Sequence, residues 1–195
     1  MARPKNKLSA AGSLRIIGGQ WRSRKLQFNP HQGLRPTSDR IRETLFNWLS
    51  PMIHGANCAD LFAGSGALGL EALSRGAAHC SFIDTSAAAI SQINKHLTAL
   101  NAGHQGSCHR QTAVDFVEQA NRPIDILFID PPFARGLIAP IWQALASGDT
   151  LAKEAWIYLE APRNEPPPAC PENWQLRRDK AAGEVAYRLF KVQRS

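Results

Sequence analysis

The tightest constraint in this chain is the stretch Asp60-Leu61-Phe62-Ala63-Gly64-Ser65-Gly66-Ala67-Leu68-Gly69. An apolar run, Cys58–Phe62, breaks into a glycine-rich turn, and Leu68–Arg75 continues as a helix-forming segment closed by Gly76. That order is strand, tight turn, helix. The spacing Gly64-x-Gly66-x-x-Gly69 lets backbone approach a ligand where a Cβ would collide, and Gly69 lets the helix lie close on its strand. Such a turn aims N–H groups at whatever sits above the strand end, which is where open α/β sheets bind ligands.

Strand and helix patterns then alternate along the chain. Cys58–Phe62, Ala67–Arg75 and Cys80–Ile83 are followed by a helix over Ser86–Leu100, a strand over Ser107–Gln111 and a helix over Ala113–Ala120. Ile124–Ile129, a helix near Leu137–Leu145 and Trp156–Leu159 continue the series. Alternation of this kind predicts an α/β fold, a parallel sheet with helices on both faces. The proline-rich stretch Arg163–Pro171 is a loop. Trp174–Arg178 and Val185–Val192 flank Ala182-Gly183 with no helix between them, so they pair antiparallel. Before this core, Leu14–Ile17 and Lys25–Phe28 flank Gly18–Arg24 and predict a β-hairpin. Ser38 caps a helix that runs to about Ser50, with Asp39 in its first turn and Ile41, Leu45, Trp48 and Leu49 as its core face.

Two acidic residues stand where chemistry is expected. Asp84 ends the apolar run after the glycine turn, where a carboxylate can take the hydroxyls of a bound ribose. Asp130-Pro131-Pro132-Phe133 follows Ile124–Ile129 directly, and an acid, two prolines and an aromatic at a strand end are hard to explain structurally.

One hundred and ninety-five residues suit one α/β domain. Residues 1–50 hold ten Lys/Arg against two Asp/Glu, a surplus of +8, whereas the remainder carries −1. A basic front on a neutral body suggests a docked polyanion. Arg22, Arg24 and Lys25 can contact phosphates; Trp21 can stack on a base or pin the hairpin to the body. Residues 1–13, polar and basic, read as a disordered tail, 14–50 as an RNA-binding extension and 51–195 as the catalytic core. The cysteines Cys58, Cys80, Cys108 and Cys170 are scattered and nothing completes a zinc set, so no metal is expected. No apolar segment of signal or membrane-spanning length is present, which predicts a cytosolic protein with no membrane contact. Nothing in the pattern demands a dimer, and a monomer is expected.

Asp60–Gly66 resembles the first motif of S-adenosylmethionine-dependent methyltransferases, and Asp130–Phe133 resembles the Asp/Asn-Pro-Pro-aromatic motif of those that methylate exocyclic base amines. With Arg15–Gly19, Leu34–Leu49 and Gly183–Leu189, the chain after about Leu14 resembles the RsmD family, guanine-N2 methyltransferases of small-subunit ribosomal RNA. The resemblance implies a Rossmann-like methyltransferase fold, a mostly parallel seven-stranded sheet with a C-terminal antiparallel hairpin and a basic N-terminal hairpin and helix. It implies S-adenosylmethionine as cofactor and ribosomal RNA or the small ribosomal subunit as partner. Asp60 would hold the methionine amino group. Phe62, Gly64, Gly66 and Thr37 would line the cofactor, Asp84 would take its ribose, and Thr112 or Ala113 would meet the adenine. Arg35 would join the RNA contacts, although Arg35–Thr37 also reads as a plain helix lead-in. Asp130 and the Pro131 carbonyl would accept from the amine, Pro132 would stiffen the loop and Phe133 would stack on the flipped base. Asp-Pro-Pro-Phe does not separate guanine N2 from adenine N6, so a DNA or RNA adenine methyltransferase stays open. A nicotinamide oxidoreductase would leave the basic front and Asp130–Phe133 unexplained, and a catalytically dead RNA-binding module would have no need of Asp130.

Overall fold

The computed structural model describes residues 12–28, 38–132 and 136–194. Arg35, Thr37, Phe133 and residues 1–11 of the expected disordered tail lie outside the described residues. The tail's assigned end at residue 13 is corrected, because β1 begins at Gly12: β1 (Gly12–Arg15) and β2 (Lys25–Phe28) form an antiparallel hairpin with Gly12 opposite Phe28. A Cβ on Gly12 would sit 2.5 Å from the Phe28 ring, so a larger residue there would have to displace that ring.

α1 (Asp39–Leu49) starts where expected, the Ser38 hydroxyl accepting the Ile41 N–H at 3.3 Å. The chain then alternates through β3 (Asn57–Asp60), α2 (Ala67–Ser74), β4 (His79–Ile83), α3 (Ala87–Ala99), β5 (Gly106–His109), α4 (Ala113–Gln119), β6 (Ile124–Ile129), α5 (Ile138–Ser147) and β7 (Leu151–Pro162). β8 (Trp174–Ala182) and β9 (Val185–Gln193) close the chain around Gly183, whose φ of 59° is left-handed. The seven strands lie in the order β5-β4-β3-β6-β7-β9-β8, with β3 to β7 parallel and β9 antiparallel to both neighbours. β9 is inserted between β7 and β8 because it is buried along most of its length, whereas the polar β8 is exposed from Gln175 to Ala181 and suits an edge.

α1, α2, α3 and the hairpin cover one face of the sheet; α4 and α5 cover the other. α2 is buried at every position from Ala67 to Ser74, because the sheet lies beneath it and the hairpin with α1 lies above it. Gly69 permits the close approach, since a Cβ there would meet the Phe82 ring at 2.3 Å. Among the described residues no helix is long and apolar enough to cross a membrane.

The hairpin is fastened to α2 through one buried acid. Glu71, fully buried, accepts the N–H groups of Ile17 and Gly18 at 2.8 Å each and Arg75 Nε at 2.8 Å. Arg42 Nη1 approaches its other oxygen at 3.6 Å, and Arg42 itself is 1% exposed. Ser74 adds three bonds, its hydroxyl donating to Gly18 O and accepting from Trp21 N, its carbonyl accepting from Gln20 N. Arg42 and Phe46 extend the buried stripe of α1 beyond the four residues expected, and Trp48 is only half-buried, stacked on Tyr187.

Candidate functional site

β4 and β5 lie to one side of β3 and β6 to the other, so the chain reverses direction in the sheet between β3 and β6. A crevice opens at such a switch point outside the carboxyl ends of the strands, and acids sit around it. Asp60 is the last residue of β3, Asp84 follows β4 and Asp130 follows β6. The glycine turn crosses above them. Gly64 and Gly66 have φ of 50° and 81°, and Gly66 N closes the turn on Ala63 O at 2.6 Å.

Asp60 is buried in a way that asks for a ligand. Its Oδ2 accepts the Gly69 N–H at 3.1 Å, while Oδ1, shut off from solvent, has no hydrogen bond of full geometry and only the Phe62 amide turned towards the carboxyl. A buried acceptor left without a good donor costs about 1–3 kcal/mol, so this oxygen has capacity for a further N–H donor. Burial pushes the Asp60 carboxyl up to about 7, with the charges of Asp130 and Asp84 adding to the rise and the Gly69 and Phe62 amides opposing it. Asp84 is held from both sides, Oδ2 by Gly64 N at 2.9 Å and Oδ1 by Ser86 N at 2.8 Å. The Gly64 amide is thus occupied by Asp84, so this glycine serves the site by its left-handed turn. Asp130 is half-buried, Pro131 buried and Pro132 exposed.

The structure therefore brings Asp60, Gly64, Gly66, Asp84, Asp130 and Pro131 to one edge, with half-buried Phe62 between β3 and the turn. Thr112 and Ala113 open α4 beyond β5, but Thr112 is committed to capping: its Oγ1 accepts from Asp115 N at 3.1 Å and donates to Asp115 Oδ2 at 2.6 Å. Trp21 needs correction. It is 8% exposed inside the hydrophobic core, so it pins the hairpin and is not available to stack on a base. Arg22, Arg24 and Lys25 are exposed, yet their loop is bonded to Ser74 at the C-terminal end of α2, about 12 Å of helix from the glycine turn. Among the described residues no three His, Cys, Asp or Glu side chains are grouped to hold a metal.

Three buried polar residues were not singled out by their sequence positions: Tyr158 and Glu160 on β7, and Glu71 under the hairpin. Glu71 is the only charge in an otherwise apolar helix. Glu160 closes the run Trp156–Leu159 as Asp84 and Asp130 close theirs, and that repetition is the signal that points to it.

Residues 14–191 match the family described as conserved hypothetical protein 95. A relative from Escherichia coli, named ribosomal RNA small subunit methyltransferase D, is 50% identical over 93% of this chain and 91% of its own length. The chain belongs to the RsmD family. Solved structures agree with that membership. One from Escherichia coli superposes with a TM-score of 0.85 at 50% identity, covering 94% of this chain and 100% of that one. Another, from Haemophilus influenzae, gives 0.80 at 40% identity, over 93% and 99%. This RsmD-family member thus has the Rossmann-like methyltransferase fold that its βα alternation and closing hairpin predict.

Proposed function

We propose that the protein transfers a methyl group from S-adenosylmethionine to the exocyclic N2 amine of a guanine in small-subunit ribosomal RNA. The observation that carries this reading is the convergence of Asp60, Asp84 and Asp130 on the switch-point crevice, with Asp60 Oδ1 left without a hydrogen bond of full geometry. The residues present fit the cofactor. Asp60 Oδ1 suits its amino group, the left-handed turn at Gly64 and Gly66 leaves room for it, and Asp84 stands where ribose hydroxyls are taken. A bound sulfonium supplies an already activated methyl group, so the protein has to orient and desolvate the amine. Asp130 and the Pro131 carbonyl accept the two amine hydrogens, which favours the pyramidal nitrogen that develops in the transition state. Pro132 restricts the loop that aims them.

Incubation with labelled S-adenosylmethionine and small ribosomal subunits, followed by digestion to nucleosides, should yield N2-methylguanosine. Label in N6-methyladenosine would move the reading to adenine, and no label in RNA would remove it.

Cofactor binding should depend on pH through Asp60. Its folded value of about 7 lies above the ordinary 3.8. Its contribution to stability is therefore full below the ordinary value and declines as pH rises towards the folded one. Holding an ammonium requires the opposite, ionised form. Affinity for S-adenosylmethionine should rise between about pH 6 and about pH 8, with Asp60→Asn flattening that rise. Calorimetry at the two pH values decides it, and a wild-type affinity that does not change would detach Asp60 from the ligand.

The RNA side is read through salt. If Arg22, Arg24 and Lys25 meet phosphates, replacing all three with Ala should weaken RNA binding and reduce the salt slope by about 0.7 per contact, so about 2 in total. Cofactor affinity should stay unchanged because the loop sits at the far end of α2. A wild-type slope in the triple variant would make this surface merely solvated.

A further inference from the structure

Asp-Pro-Pro alone does not distinguish guanine from adenine, but the strand next to it carries a second acid. β6 and β7 are parallel with Phe128 opposite Tyr158 and Ile129 opposite Leu159. Asp130 follows β6 directly and Glu160 lies within β7, which runs on to Pro162; continued by one residue, the register sets the two at adjacent positions on one face, with the strands about 4.8 Å apart. Asp60, paired with Phe128, shares that face one pleat lower. Its Oδ1, without a hydrogen bond of full geometry, leaves the crevice capacity for a ligand N–H.

Glu160 is fixed in direction. It is 4% exposed, and the fully buried Tyr158 donates its hydroxyl to Oε1 at 2.7 Å. Burial and the charges of Glu160 and Asp130 push that hydroxyl far above its ordinary range, so it remains a donor. The two carboxylates thus belong to adjacent positions of neighbouring strands, with Tyr158 holding one of the Glu160 oxygens.

Purine edges differ in what they offer such a pair. Guanine carries two adjacent donors, N1–H and the N2 amine. Adenine sets its amine beside an N1 lone pair, which a second carboxylate repels. We propose that Glu160 is the specificity-determining residue of this site, accepting the N1–H of the target guanine while Asp130 accepts its amine. The inference rests on the guanine-N2 reading above and explains how the site would enforce it.

The probe is a small-subunit RNA fragment carrying either guanine or 2-aminopurine at the methylated position. 2-Aminopurine keeps the N2 amine but has a bare acceptor at N1. Wild-type enzyme should prefer guanine by at least about 10²-fold in kcat/KM, because a site built around a donor rejects the analogue that lacks it. Glu160→Gln, whose amide can turn to donate or accept, should collapse that preference to about tenfold or less while S-adenosylmethionine affinity and thermal stability stay at wild-type values. A preference unchanged in Glu160→Gln overturns the proposal, as does a wild-type enzyme that accepts both bases alike. If Glu160→Gln loses cofactor affinity or stability, Glu160→Asp decides instead. That variant keeps the charge one methylene further back, and it should narrow the preference; an undiminished preference overturns the proposal. Failure of wild-type enzyme to methylate guanine at all would count against the parent reading and leave a separate signature.

Discussion

Asp130→Ala is expected to lower kcat by at least about 10²-fold, the scale of removing one preorganised hydrogen-bonding group from a transition state, with S-adenosylmethionine affinity nearly unchanged. The carboxylate stands at the end of β6 beside the crevice. On the proposed reading it accepts from an amine whose lone pair is delocalised until the nitrogen pyramidalises. An acceptor that strengthens only as the nitrogen changes shape lowers the barrier without tightening substrate binding, so the loss should appear in kcat more than in KM. Asp130→Asn keeps one acceptor oxygen and should retain more activity than Asp130→Ala. Single-turnover methyl transfer on ribosomal subunits measures both variants. Turnover within a few-fold of wild type in Asp130→Ala would show that something else orients the amine, and equal loss in both variants would show that the charge itself is needed.

Glu71→Ala carries the largest expected effect on stability, about 3–5 kcal/mol, the range for removing one partner of a buried ion pair. The side chain is fully buried, accepts three donors, Ile17 N, Gly18 N and Arg75 Nε, and faces Arg42 Nη1 at 3.6 Å, so it joins three segments. Its loss leaves the buried Arg42 guanidinium with only Asp39 and the Arg15 carbonyl, both at Nη2, while Nε and Nη1 already have no hydrogen-bond partner, and it frees the amides that hold the hairpin to α2. Replacing Arg42 and Glu71 together with Met should cost less than Glu71→Ala, because no uncompensated charge then remains inside. Denaturant unfolding followed by circular dichroism compares the two. A Glu71→Ala loss below about 1 kcal/mol, the level of an exposed pair, would mean that water reaches this network and that the hairpin is held by apolar packing alone.

The relation between these two experiments is structural. Glu71 and the Gly69 amide that bonds Asp60 are on the same short helix, one facing the basic hairpin and the other the crevice. The hairpin and the switch-point edge therefore lie at opposite ends of one rigid element, so the exposed Arg22, Arg24 and Lys25 stand at a distance from Asp60 and the glycine turn.

By itself the sequence determined the parallel βα alternation, the left-handed turn at Gly64 and Gly66, the acids Asp60, Asp84 and Asp130 at strand ends, and the antiparallel close of β8 and β9. These are local properties: periodicity, a glycine spacing and the residue that follows an apolar run are all read within a dozen positions. Tertiary structure alone decided which side chains lose water. Trp21 enters the core because the Gly18–Trp21 loop bonds Ser74, 53 residues away from Trp21 in sequence. Arg42 and Glu71 are charged residues in helices, and only the hairpin laid across them turns them into a buried network. Asp60 was legible as a site acid ending a strand, but its burial follows only from the helix and turn that close over it. Glu160 became the neighbour of Asp130 through the pairing of Ile129 with Leu159, a register set by long-range packing, to which local pattern is blind.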